Sequence, residues 1–137
     1  MFHYRGCWGS EGDFGFATAP DDACAVMDEL CSGRYHQVDA SGFVLVGHSF
    51  GGWVAVLAAA RDERVKACAV YGAAVEFHAR EYSPDVIEQW FSPWLRGMTA
   101  EKFNRERLAL PGSHQPLQQV ARIAPRPLLV IHGGQDA

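Results

Sequence analysis

Five residues, Gly47-His48-Ser49-Phe50-Gly51, have the types and spacing to do chemistry. They read Gly-x-Ser-x-Gly, and Gly52 follows. Phe43-Val44-Leu45-Val46 precedes them, an unbroken apolar run of the kind a buried parallel strand uses. Trp53-Val54-Ala55-Val56-Leu57-Ala58-Ala59-Ala60 follows, free of glycine and mostly helix-favouring. A strand, a sharp turn and a helix in that order force the serine into a strained backbone and lift its hydroxyl above the sheet. There it can act as the nucleophile of an acyl transfer. Gly47 and Gly51 read as positions where neighbouring backbone passes too close for a Cβ. The competing reading is a glycine-rich loop in an ordinary strand–helix unit; the flanking segments favour the nucleophile.

The elements that must hold this turn follow from periodicity. Phe2-His3-Tyr4 reads as the tail of a strand, and residues 5–17 as a loop punctuated by Gly6, Gly9, Gly12 and Gly15. A helix begins near Thr18, where Thr18 and Asp21 resemble a capping box, and ends at Ser32-Gly33. Its buried face is Ala23, Val26, Met27 and Leu30, spaced i, i+3, i+4, i+7. Residues 42–46 and 65–71 read as buried strands. An irregular stretch, about 72–115, carries helical pieces near 84–91 and 99–108. A helix at about 115–122 leads to Pro125-Arg126-Pro127, and Leu128-Leu129-Val130-Ile131 is a further strand. Strands alternating with helices predict one α/β domain over residues 1–137 with a parallel sheet flanked by helices.

Composition narrows the function classes. The chain has 137 residues, 48% of them apolar, and a net charge of −4. It has enough apolar surface for a core, and no basic run suited to nucleic acid. The apolar run at 53–60 is too short to span a bilayer, and the N-terminus has no signal-like apolar core, so a cytoplasmic location is expected. Cys7, Cys24, Cys31 and Cys68 form no C-x-x-C pair and no zinc-ligand spacing, and read as free, buried thiols. Gly6, Gly9 and Gly12 lack the Gly-x-Gly start of a dinucleotide loop. No cofactor and no metal is implied.

A serine hydroxyl becomes nucleophilic when a base, itself oriented by an acid, takes its proton. Three segments together resemble the α/β-hydrolase superfamily, in its esterase and serine-aminopeptidase-like branches. They are Gly47-His48-Ser49-Phe50-Gly51-Gly52, the loop Tyr4-Arg5-Gly6-Cys7-Trp8-Gly9-Ser10-Glu11-Gly12, and Leu128-Leu129-Val130-Ile131-His132-Gly133-Gly134-Gln135-Asp136. The resemblance implies that Ser49 is the nucleophile, Asp136 the acid and the Phe50 N–H one oxyanion donor. Glu76, after the strand at 65–71, is a rival acid, and a plain turn carboxylate is the alternative for Asp136.

The resemblance also implies a base that follows the acid, whereas His3, His36, His48, His78, His114 and His132 all precede Asp136. His48 holds the variable position of the turn and is expected to point away from the site. His132 belongs to the acid-strand motif, and His78 and His114 read as surface residues. No catalytic histidine is assigned. The superfamily's third strand and C-terminal histidine segment have no counterpart here. The chain is therefore expected to be a partial fold, an internal piece of a hydrolase with open sheet edges and poor solubility. In that arrangement the strand at 2–4 either pairs with 42–46 or leaves an edge open.

The resemblance implies that the stretch of about 72–115 is a cap or lid insertion, since the superfamily often places one there. Tyr71, Phe77, Tyr82, Trp90, Phe91, Trp94 and Phe103 either line an apolar acyl pocket or form a satellite core. The expected function is a serine hydrolase acting on carboxylic esters through an acyl-enzyme on Ser49, as an incomplete piece with weak or no activity alone because no catalytic histidine is assigned. The alternatives are a serine peptidase of aminopeptidase or prolyl-oligopeptidase type, and a non-catalytic remnant. The expected partner is a small-molecule ester or peptide substrate, with no nucleic acid or membrane; the oligomeric state stays open.

Overall fold

The computed structural model describes residues 1–76 and 81–134. Three strands, β1 (Phe43–His48), β2 (Val65–Tyr71) and β3 (Leu128–Ile131), form a parallel sheet in the order β1-β2-β3. Each is a short, mostly apolar run rich in valine, isoleucine and leucine, which suits a pleated surface packed on at least one side. The described helices are α1 (Ala19–Leu30), α2 (Phe50–Arg61), α3 (Pro84–Trp90), α4 (Ala100–Leu108) and α5 (Pro116–Gln119). No described helix is long and apolar enough to cross a membrane.

α2 is the hub. It buries every residue from Gly52 to Ala60, as a helix apolar on all sides must. Ala55, Val56, Ala59 and Ala60 pack with Val65, Cys68 and Val70 of β2 and with Met27 of α1. Trp53, Val54, Leu57 and Ala58 pack with Phe14, Phe16, Ala19 and Ala23, and with Ile87 and Phe103 from the segment beyond β2. Trp53 and Leu57 are fully buried, and each removes about 2–3 kcal/mol worth of apolar surface from water.

Among the described residues, only one face of the sheet is covered. Val46 of β1, Ala69 of β2 and Leu129 of β3 are register partners, as are His48, Tyr71 and Ile131. Partners in a parallel ladder share a face. No described helix covers this face: Val44 and Val46 are 66% and 72% exposed, and Leu129 and Ile131 are likewise open.

Residues Phe2–Tyr4 do not form the expected strand. Tyr4 instead sets its ring edge-on against Phe50, with 5.4 Å between centroids. No described strand pairs with the outer edge of β1, so the edge is open, the second of the two arrangements the sequence allowed. Thr18 also departs from expectation. Its backbone is already helical, and its hydroxyl donates to the Gly15 carbonyl at 3.1 Å instead of capping α1. Side-chain caps do occur at α3 and α4, where Ser83 and Thr99 accept from Val86 N and Lys102 N.

The segment after α3 is stitched to the N-terminal loop. Cys7 and Leu95 form an antiparallel bridge. Trp8 N donates to Trp94 O at 3.3 Å, Arg96 N to Gly6 O at 2.8 Å and Phe14 N to Arg96 O at 3.0 Å. Arg5 fixes the start of this loop through its ion pair with Asp22 of α1 at 2.5 Å.

Candidate active site

The chain passes from β1 to α2 through a single residue, Ser49, at φ 50° and ψ −118°. That conformation is the one a type II′ turn reserves for glycine, and a serine held there stores about 1–3 kcal/mol of strain. Neighbouring backbone enforces it. Ser49 N donates to Tyr71 O at the end of β2 at 3.2 Å, while Ser49 O accepts from Gly52, Trp53 and Ala74 at 3.0–3.2 Å. The side chain is exposed, and its hydroxyl makes no hydrogen bond among the described residues.

Crowding falls on Gly47 and Gly52. A Cβ on Gly47 would sit 2.2 Å from the Gly51 carbonyl oxygen, and one on Gly52 2.7 Å from the Ala73 Cβ. Gly51 differs from expectation: a Cβ there would meet nothing nearer than the Tyr4 hydroxyl at 3.8 Å. Phe50 opens the 12-residue helix α2, so its N–H lies in the first turn, where a helix supplies no acceptor and favours negative charge.

Ser49 opens onto a cavity of about 800 Å³ shared by Tyr4, Trp8, Phe50, Trp94 and Phe103. None of its described lining residues is Asp, Glu, Lys or Arg. Tyr82, Trp90, Phe91, Trp94 and Phe103 all line the cavity, and three of them also form a small aromatic core. Tyr82, Phe91 and Phe103 pack on one another with centroids 4.9–6.0 Å apart, while Trp90 and Trp94 stand 65% and 51% exposed at the cavity wall. Phe77 lies outside the described residues.

Tyr4 and Trp8 are site residues that sequence reasoning did not pick out. Burial pushes the Tyr4 phenol up to about 12, so it stays a protonated donor at the cavity wall across the neutral range. They stand 45 and 41 positions before Ser49, and no spacing rule links them to it. The one available signal was the glycine-punctuated loop that carries Trp8.

The histidines scatter. His48 stacks on Tyr71 at 4.4 Å, on the open face of the sheet. His114 is not a free surface residue as expected. It lies 6.2 Å from the Trp53 ring, meets Ala17 O at 3.0 Å and Arg61 Nη2 at 3.1 Å, and its carbonyl accepts from Trp53 Nε1. His3, His36 and His132 are exposed. None of the described histidines hydrogen-bonds the Ser49 hydroxyl. Asp136 and His78 lie outside the described residues, and Glu76 is exposed beyond β2.

Two of the four thiols are buried as expected, Cys7 and Cys68; Cys24 is half-buried and Cys31 exposed. Burial pushes Cys7 and Cys68 up to about 11, which keeps them as thiols and unsuited to thiolate chemistry.

Residues 12–137 match the family model of the prolyl oligopeptidase family. No curated protein matches the chain. The match spans most of the sequence, including the Gly47–Gly52 turn and all three strands. The chain thus belongs to the prolyl oligopeptidase family of serine hydrolases, and its parallel sheet with flanking helices is part of the α/β-hydrolase fold.

Proposed function

We propose that the chain provides the nucleophile of a serine peptidase, with Ser49 attacking the carbonyl carbon of a peptide bond. The observation that carries this reading is Ser49 itself: an exposed, unbonded hydroxyl on a backbone at φ 50°, opening onto an apolar cavity. Family membership favours peptide over ester substrates, so the peptidase is preferred to the carboxylesterase.

In this reading the Ser49 oxygen bonds to the carbonyl carbon and its proton passes to a base. The carbonyl oxygen gains negative charge, and the Phe50 N–H at the head of α2 donates to it. Collapse expels the amine with a proton, and water releases the acyl group from Ser49. Asp136 is the proposed orienting acid. The stretch 72–115 is read as a cap, and its Trp90 and Trp94 as cavity walls.

The test is labelling with a fluorophosphonate, alongside turnover of a peptidyl p-nitroanilide and of p-nitrophenyl acetate. The expected result is labelling that is lost in Ser49→Ala, with labelling and anilide cleavage by the chain alone both weak, since no described base meets the Ser49 hydroxyl. Ester turnover without anilide turnover favours the carboxylesterase. Labelling that survives Ser49→Ala, or no labelling of the folded chain, favours a non-catalytic role.

A further inference from the structure

Trp8 is the second non-glycine residue with a positive φ among those described, at 43°. A bulky residue in that conformation is a backbone outlier, and such outliers persist only where the surroundings over-determine them. The surroundings do so here. Cys7 N donates to Tyr4 O at 3.0 Å, Ser10 N to Cys7 O at 2.9 Å, Gly6 N to Glu11 O at 3.0 Å and Trp8 N to Trp94 O at 3.3 Å. The loop is laced on both sides of Trp8, against itself and against the segment after α3.

This rigid, strained backbone does not serve to bury the indole. Trp8 is 58% exposed, and its indole N–H has no hydrogen bond among the described residues. It leans on His3 at 5.4 Å and on Trp94 at 6.3 Å, and it lines the cavity onto which Ser49 opens. A loop that accepts strain in order to hold a large flat ring towards solvent gains nothing in core packing. The ring's face and its N–H are left for a ligand.

We propose that Trp8 is a substrate-binding residue, a fixed indole shelf that takes an aromatic side chain of the peptide. The inference deepens the peptidase reading and rests on it for the identity of the substrate. The cavity suits such a side chain, since its described walls carry no Asp, Glu, Lys or Arg. Stacking on a pre-set ring also avoids the entropy of ordering it on binding.

The experiment uses the full chain carrying Ser49→Ala, so that no turnover intrudes. N-acetyl-phenylalanine p-nitroanilide and N-acetyl-alanine p-nitroanilide are titrated against it, with and without Trp8→Gly or Trp8→Phe. Glycine adopts φ 43° without strain, so Trp8→Gly removes the ring and the strain together. The expected result is that Trp8→Gly weakens the phenylalanine probe about tenfold and leaves the alanine probe within about twofold, while Trp8→Phe retains most of the affinity. The melting temperature of Trp8→Gly is expected not to fall. Equal loss for both probes, no loss for either, or a lowered melting temperature in Trp8→Gly overturns the proposal. Should Ser49→Ala leave anilide turnover intact, the Ser49 reading fails, while the probe difference still reports on Trp8.

Discussion

A Cβ built on Gly47 would sit 2.2 Å from the carbonyl oxygen of Gly51, so the last residues of β1 and the first turn of α2 touch backbone to backbone. Gly51, in the same motif, has open room. The two glycines should therefore answer oppositely to the same change. Gly47→Ala is expected to destabilise by about 3 kcal/mol or more, because the clash is with backbone that cannot turn aside. Gly51→Ala is expected to be neutral or to stabilise by up to about 1 kcal/mol, since it sits at a helical position. Urea denaturation of both variants checks this, and a similar loss in each would count against the close approach.

Arg126 ties the entry of β3 to that of β2. Its guanidinium donates to the carbonyls of Asp62, Val65, Ile123 and Arg122 at 2.8–3.0 Å. Glutamine reaches at most one or two of these, so Arg126→Gln should cost about 3 kcal/mol by leaving half-buried carbonyls without a donor. Thermal unfolding measures the loss; a change within about 0.5 kcal/mol would show that water replaces the guanidinium freely.

Asp62 gives the fold an acid-sensitive contact. Side-chain hydrogen bonds from Arg64, at 2.6 Å and 3.0–3.1 Å, hold the Asp62 carboxyl below its ordinary 3.8. A carboxylate favoured in the folded state stabilises above its unfolded pKa, and that contribution disappears as pH falls through the lower folded value. Wild-type stability should therefore drop below about pH 4, and Asp62→Asn should flatten part of that drop. Denaturation curves at pH 6 and pH 3 compare the two; identical pH dependence would remove Asp62 from the account.

The uncovered sheet face should make the chain self-associate. Val44 and Val46 lie on β1, an edge strand whose outer backbone groups pair with no described strand, the arrangement that recruits further strands. Val44→Lys combined with Val46→Lys is expected to shift the chain towards monomer while changing folding stability by less than about 1 kcal/mol. Sedimentation velocity over a range of concentrations reads this directly. A wild-type chain that stays monomeric and melts in one sharp, reversible step would refute it.

Much of the scaffold was legible because its signals are local. Val65–Tyr71, apolar except for Lys66, and Leu128–Ile131, wholly apolar, lie between polar or proline-bearing neighbours, and both strands fall at the expected bounds. The turn at Ser49 was legible for the same reason: glycine, serine and glycine between a strand and a helix leave few backbone solutions. Phe2–Tyr4 misled because two aromatics around a histidine suit a strand, and a strand also needs a neighbour to bond with. Thr18 misled because a capping pattern does not say which carbonyl the hydroxyl will meet.

What the sequence determined by itself is the order of elements and the strained serine between β1 and α2, since steric rules among adjacent residues settle both. Which glycine is indispensable was decided only when α2 folded back on β1. His114 became a packed residue only because the chain returns to Trp53 after 61 positions. The meeting of Tyr4, Trp8 and Trp94 around one cavity also depends on contacts between distant segments. Periodicity and turn chemistry reach a few residues along the chain, whereas a site wall depends on which segments pack side by side, and that is fixed by burial summed over the whole fold.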